Sequence, residues 1–164
     1  MKSTKKLSVI AVAALIISCA SSTKNEPADS KNESAPVSYS KNDLAKIKWI
    51  EGKWKGMAGK DPFYEIYQFT NDSTLMITSY EWNGKDSSKS SVDLLHWKTD
   101  AYYLGKEQNY KVTDITDTEI KMIPLKGSND ILWKMGSDSG WVAVLKGKKQ
   151  TVTYEMKAFD PFGK

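Results

Sequence analysis

From Gly52 onward, apolar side chains recur at every second position, and this period constrains the fold more than any other property of the chain. In GKWKGMA, residues 52–58, Lys53 and Lys55 fall on one face and Gly52, Trp54, Gly56 and Ala58 on the other, as a half-buried strand requires. Residues 63–70 and 74–82 are rich in β-formers and are joined by Asn71-Asp72-Ser73, the pattern of a hairpin. Asn83-Gly84 is a two-residue turn signal ahead of a strand over 91–98. Further strands are expected at 101–104, 110–115, 119–125, 131–135, 141–145 and 150–159, with turns at 114–118, 127–130, 136–140 and 147–149. Strands at this spacing leave no room for crossover helices, so the sheet is antiparallel. A meander of this size hides its edges most economically by closing into a barrel, here of about 8–10 strands; a two-sheet sandwich is the alternative.

Upstream of Gly52 the period is lost. In DLAKIKWI, with Asn42 or Asp43 as cap, Leu44, Ile47 and Ile50 share one face of a short helical turn that would plug one end of the barrel. Residues 20–41 are rich in Ser, Lys, Asn and Pro and nearly devoid of large apolar side chains, so they cannot offset their ordering entropy and read as a tether. Residues 1–6 are short and basic, and 7–17 form an apolar run of 11 residues, the pattern of an export signal. Eleven residues rising ~1.5 Å each fall short of a hydrocarbon core ~30 Å thick, so the segment is expected to be cleaved. The junction Ile16-Ile17-Ser18-Cys19 resembles the lipobox of bacterial lipoproteins, and the chain's single Cys falls there. That resemblance implies cleavage before Cys19, acylation of its thiol and new amine, and stable anchoring by several acyl chains. The following Ala20 is not the Asp that retains enteric lipoproteins at the inner membrane, so the outer membrane is expected. The segments are therefore a signal peptide at 1–18, an acylated Cys19 with its tether to 41, and one β domain over 42–164.

Charge narrows the function. All 24 basic residues are Lys, and three of them lie in the signal segment; the remaining 21 nearly balance 20 acids. A near-neutral chain without Arg lacks the clustered cationic face that nucleic-acid binding requires. One Cys excludes a disulfide framework. The sole imidazole, His96, excludes a two-His metal site, a His-Cys pair and a Ser-His-Asp triad within one chain. A haem ligand needs one His, as in barrel proteins of the nitrobindin type, but nothing around His96 in LLHWK marks such a site, and a satisfied or surface His is the plainer reading. No cofactor is expected.

The opening Trp49-Ile50-Glu51-Gly52-Lys53-Trp54-Lys55-Gly56 resembles the W-L-x-G-x-W-x-G start of the DUF6265 group, small bacterial secreted proteins and lipoproteins of unknown function. Its Gly-x-Trp core is similar to the start of lipocalins and other calycins, which implies a calycin-like barrel. The likeness runs over about residues 47–158, through Tyr64-Glu65-Ile66-Tyr67, the hairpin to Gly84 and Val92-Asp93-Leu94-Leu95. The chain departs from the group at Ser128-Asn129-Asp130-Ile131, where a segment like H-D-F-P is expected. Lipocalins set an Arg against the first-strand Trp; this chain has none, and Lys157 is the expected substitute over Trp54.

With Trp54 inward, alternation along 63–69 puts Phe63, Glu65, Tyr67 and Phe69 on the core-like face. An acid there is costly to bury unless it is paired or hydrogen-bonded. Either Glu65 orients a polar ligand group inside an aromatic cup made with Trp54, Tyr67, Tyr80 and Trp97, or it faces water or pairs with a Lys; Asp93 carries the same ambiguity. The 18 aromatics suit both a core and a stacking cavity. The expected function is binding of a small apolar or amphipathic ligand in the mouth of a lipid-anchored barrel. Two other readings stand beside it: a filled barrel acting as an envelope interaction or inhibitor module, and a hydrolase using Glu65 and Asp93 with carboxyls ~5–9 Å apart.

Overall fold

A spacing of three matches the 3₁₀ period better than the α period, so Leu44, Ile47 and Ile50 stack in one column when the segment winds as a 3₁₀ helix. The computed structural model, which describes residues 39–82 and 87–160, has 3₁₀ turns over Asp43–Ile50 that kink at Ile47 (φ −99°, ψ 25°), with all three side chains fully buried. Asn42 stands at the cap position without a side-chain bond; the carboxylate of Asp43 instead accepts the Ser40 backbone N–H at 2.6 Å and pairs with Lys46 at 3.0 Å. Tyr39 already packs against the core. Cys19, the signal segment and the Asn83-Gly84 turn lie outside the described residues.

Ten strands follow: β1 (Gly52–Ala58), β2 (Asp61–Asn71), β3 (Thr74–Trp82), β4 (Ser87–Lys98), β5 (Ala101–Leu104), β6 (Tyr110–Ile115), β7 (Glu119–Pro124), β8 (Asp130–Met135), β9 (Trp141–Lys146) and β10 (Thr151–Ala158). Each pairs antiparallel with its neighbours in the chain, and β10 returns to β1, so the sheet closes into one barrel and not a sandwich. Closure leaves no free sheet edge. β1 keeps the expected phase, with Trp54 and Gly56 buried between half-exposed Lys53 and Lys55.

The 3₁₀ helix plugs the end where β1 begins. The Trp54 indole donates to the Ile50 carbonyl at 2.7 Å, tying the helix to β1. The Tyr102 hydroxyl, on β5, donates to the Lys41 carbonyl at 2.6 Å and accepts the Leu44 N–H at 3.3 Å. Below the plug, the interior is filled by rings set edge-on. Trp141 stands 6.2 Å from Trp54, 5.3 Å from Tyr67 and 5.7 Å from Trp133, and Tyr67 stands 5.6 Å from Trp133. These edge-to-face contacts match the ring quadrupoles. Lys157 does not take the place of the lipocalin Arg. It is exposed, opposite Lys55 on the outer face, and the ring set edge-on against Trp54 belongs to Trp141.

Candidate functional site

The strands leave a cup of about 170 Å³ at the end away from the plug, lined by Glu65 and Tyr67 of β2, Ile77 and Ser79 of β3, Asp93 of β4, Leu104, Gly105 and Asn109 at the β5–β6 turn, Tyr110 of β6 and Trp133 of β8. Register explains the convergence: Glu65 lies opposite Ser79, Tyr67 opposite Ile77, and Ile77 opposite Asp93, so all these side chains share the inner face. Tyr67 and Trp133 belong both to the ring cluster and to the cup, and so form its floor. The ring cluster thus packs beneath the cup, among the described residues. A cavity of about 150 Å³ holds one benzene, so the cup admits a head group and not a whole lipid.

Glu65 is the chemical centre of the cup. One carboxylate oxygen accepts the Tyr67 hydroxyl at 2.8 Å, and the other is 3.5 Å from the Ser79 hydroxyl. Burial pushes its pKa above the usual carboxylate range; the two hydroxyls pull it down, and the charge of Asp93 pushes it further up. Burial and the neighbouring Glu65 carboxylate also raise the Tyr67 phenol well above its ordinary value, so it stays protonated and donates. No basic side chain lines the cup. A partly desolvated acid beside a more exposed one can hold a cationic or hydrogen-bond-donating group, or serve as a proton donor with Asp93 as its partner.

Glu65 and Tyr67 share the inner face as the alternation implied, and Asp93 joins them in the cup; Trp54, Tyr80 and Trp97 do not line it, although Trp54 pairs directly opposite Glu65 in the β1–β2 ladder. Tyr80 lies opposite Tyr64 in the β2–β3 ladder, on the outer face. Its own strand carried the signal, since Leu75 and Ile77 fix the inward phase and leave Tyr80 out of it. Trp97 faces inward but sits at the plugged end, edge-on to Tyr102 at 5.0 Å. Trp54 is buried between Glu65, its cross-strand partner, and the plug, to which its indole is hydrogen-bonded. Tyr110, Trp133 and Asn109 complete the cup from strands distant in sequence, where one-strand alternation gives no register. His96 lies opposite Tyr103 and Thr74 on the outer face, half-buried, with Nδ1 lacking a hydrogen-bond partner.

Larger crevices lie on the outer wall, of about 480 Å³ along the β1–β10 seam by Lys55, Met57 and Lys157 and of about 570 Å³ beside the β8–β9 turn. Their ionisable side chains are exposed or half-exposed, whereas the cup holds a desolvated carboxylate, so the cup is the stronger candidate. Among the described residues no three His, Cys, Asp or Glu side chains converge as a metal site would need, and no helix is long and apolar enough to cross a membrane. Comparison with protein-family models, curated proteins and solved structures finds no match for this chain.

Proposed function

We propose that this protein is a lipid-anchored envelope protein, held in the outer membrane through Cys19, whose barrel mouth binds the head group of a small amphipathic ligand. The observation that carries the binding half is Glu65: an acid kept half-buried on the inner face of the barrel, in the wall of a cup, costs stability that a filled barrel has no reason to bear. Leu125 supports the amphipathic character. It is 53% exposed at the mouth, and its backbone N–H bonds the carbonyl of Asn109, a cup residue, at 2.7 Å. An apolar tail leaving the cup would lie against it. Anchoring rests on the lipobox-like junction and its single Cys, and the calycin resemblance supports a carrier or receptor role.

Each half has its own test. Substituting Cys19→Ala should abolish labelling by a palmitate analogue and shift the protein from the membrane pellet to the soluble fraction; persistent labelling would remove the anchor. Tryptophan fluorescence should respond to ligand, because Trp133 lines the cup. If no amphiphile in a broad panel binds, the filled-barrel interaction module replaces the carrier. That Glu65 and Asp93 share one cup also keeps carboxylate-dependent hydrolysis open as a second reading, checked by turnover of glycoside substrates and its loss in Asp93→Asn.

A further inference from the structure

We infer that the head group the cup takes is an organic cation, a primary or quaternary ammonium held between the Glu65 and Asp93 carboxylates and the rings of Tyr67, Tyr110 and Trp133. This rests on reading the cup as the binding site. The chain has 24 Lys, yet the cup is lined by two acids and no base. An anionic head group such as a fatty-acid carboxylate would enter against two like charges without a cation to meet it. A neutral sugar or alcohol would find acceptors, but would leave the two carboxylates uncompensated in a partly desolvated site.

An ammonium answers each feature. Tyr67 occupies one oxygen of Glu65, and the other has only the long Ser79 contact, so acceptor capacity remains. Asp93, the more exposed acid, supplies a second charge from β4. The Tyr67 and Trp133 rings of the floor and the Tyr110 ring of the wall add the attraction of a ring quadrupole for a cation, which is strongest where water is excluded. The volume also fits, because a trimethylammonium group is no larger than the benzene that a cavity of about 150 Å³ accepts. Lysines do stand in the turns at the mouth: Lys106 beyond Gly105 and Lys126 paired with Glu107 at 3.1 Å. They are exposed, and their repulsion is screened over ~8 Å at physiological salt, whereas the carboxylates act at contact.

The test titrates the purified full chain with four octyl compounds below their micellar concentrations: trimethylammonium, primary amine, glucoside and carboxylate. Tryptophan fluorescence and calorimetry give affinities, and amide chemical shifts locate the contact. The ammonium compounds should bind at least tenfold more tightly than the glucoside, with shifts at the residues lining the cup, and the carboxylate should not bind. Glu65→Gln and Asp93→Asn should each weaken ammonium binding about tenfold or more; the second substitution keeps the test open should the first disturb folding. Ammonium affinity should also fall on acidification, as Glu65 takes up a proton; the other titratable groups facing the cup are Asp93, Tyr67 and Tyr110. If glucoside or carboxylate binds in the cup as well as the ammonium, the cation assignment is overturned while the carrier survives. Ammonium binding untouched by both substitutions overturns the assignment too. If nothing binds, both fall.

Discussion

Glu65 illustrates how one residue can be retained against stability. Its pKa is raised in the folded protein, so the native state keeps the proton to higher pH than the unfolded chain does. Stability contributed by that proton is present in full below the ordinary carboxylate pKa and is lost as pH rises through the raised value. Glu65→Gln has no such loss, and its amide oxygen can still accept from Tyr67. The substituted protein should therefore melt a few degrees higher at pH 8, match the parent near pH ~4, and show a flatter stability profile between. Calorimetry across that range is the check; a variant less stable at pH 8 would mark the carboxylate as structural. Glu65 was legible in the sequence because it interrupts an apolar face, and Asp93 for the same reason. What was not legible was height along the barrel axis. Trp97 shares the inward phase with Glu65, yet its edge-on contact with Tyr102 holds it at the plugged end.

At the scale of elements, the 3₁₀ plug does more for the barrel than its eight residues suggest. Three fully buried side chains contribute about 1.5–3 kcal/mol each, roughly 5–9 kcal/mol together as an upper bound, which is comparable to the whole stability of a small domain. A chain beginning at Gly52 would also strip the cover from Trp54 and leave the buried Tyr102 hydroxyl without its partners. Such a fragment should be unfolded or molten by near-ultraviolet circular dichroism, whereas Tyr102→Phe in the full chain should cost only about 1–2 kcal/mol in urea unfolding. A fragment as stable as the full chain would show that the barrel closes without its plug. Strand positions were readable because turn residues bracket them, and β1, β3, β5 and β6 begin and end where alternation and turns place them. β4 was read four residues short. Its first residues, Ser87 to Ser90, have no apolar partner in sequence and are strand only because they continue the ladder with Tyr80, Glu81 and Trp82, across an irregularity after Ser79. Pairing, not propensity, makes them β.

For the whole molecule, closure distributes stability unevenly around the barrel. The β1–β2 ladder has seven residue pairs and β3–β4 nine, but β5 and β6 share two, Tyr103 with Lys111 and Leu104 with Tyr110, and β1 meets β10 in two. Short ladders open first, because few cooperative bonds hold them. The β5–β6 seam is also the one that carries Leu104, Gly105, Asn109 and Tyr110 into the cup. Gly105 ends it in a left-handed conformation with φ +90°, where an added Cβ would lie 2.9 Å from the Asn109 amide, so the turn suits glycine on both counts. Native-state hydrogen exchange should therefore show the amides of Leu104, Lys111 and their neighbours exchanging by local opening, at least tenfold faster than those at the centre of β2 and β3. A ligand seated in the cup touches both sides of that seam, and should slow exchange there while leaving the β1–β10 seam unchanged. Equal protection at both seams on adding ligand would mean global stabilisation without a contact at the mouth. Selective protection at β5–β6 would tie one of the two shortest ladders of the barrel to the site it borders.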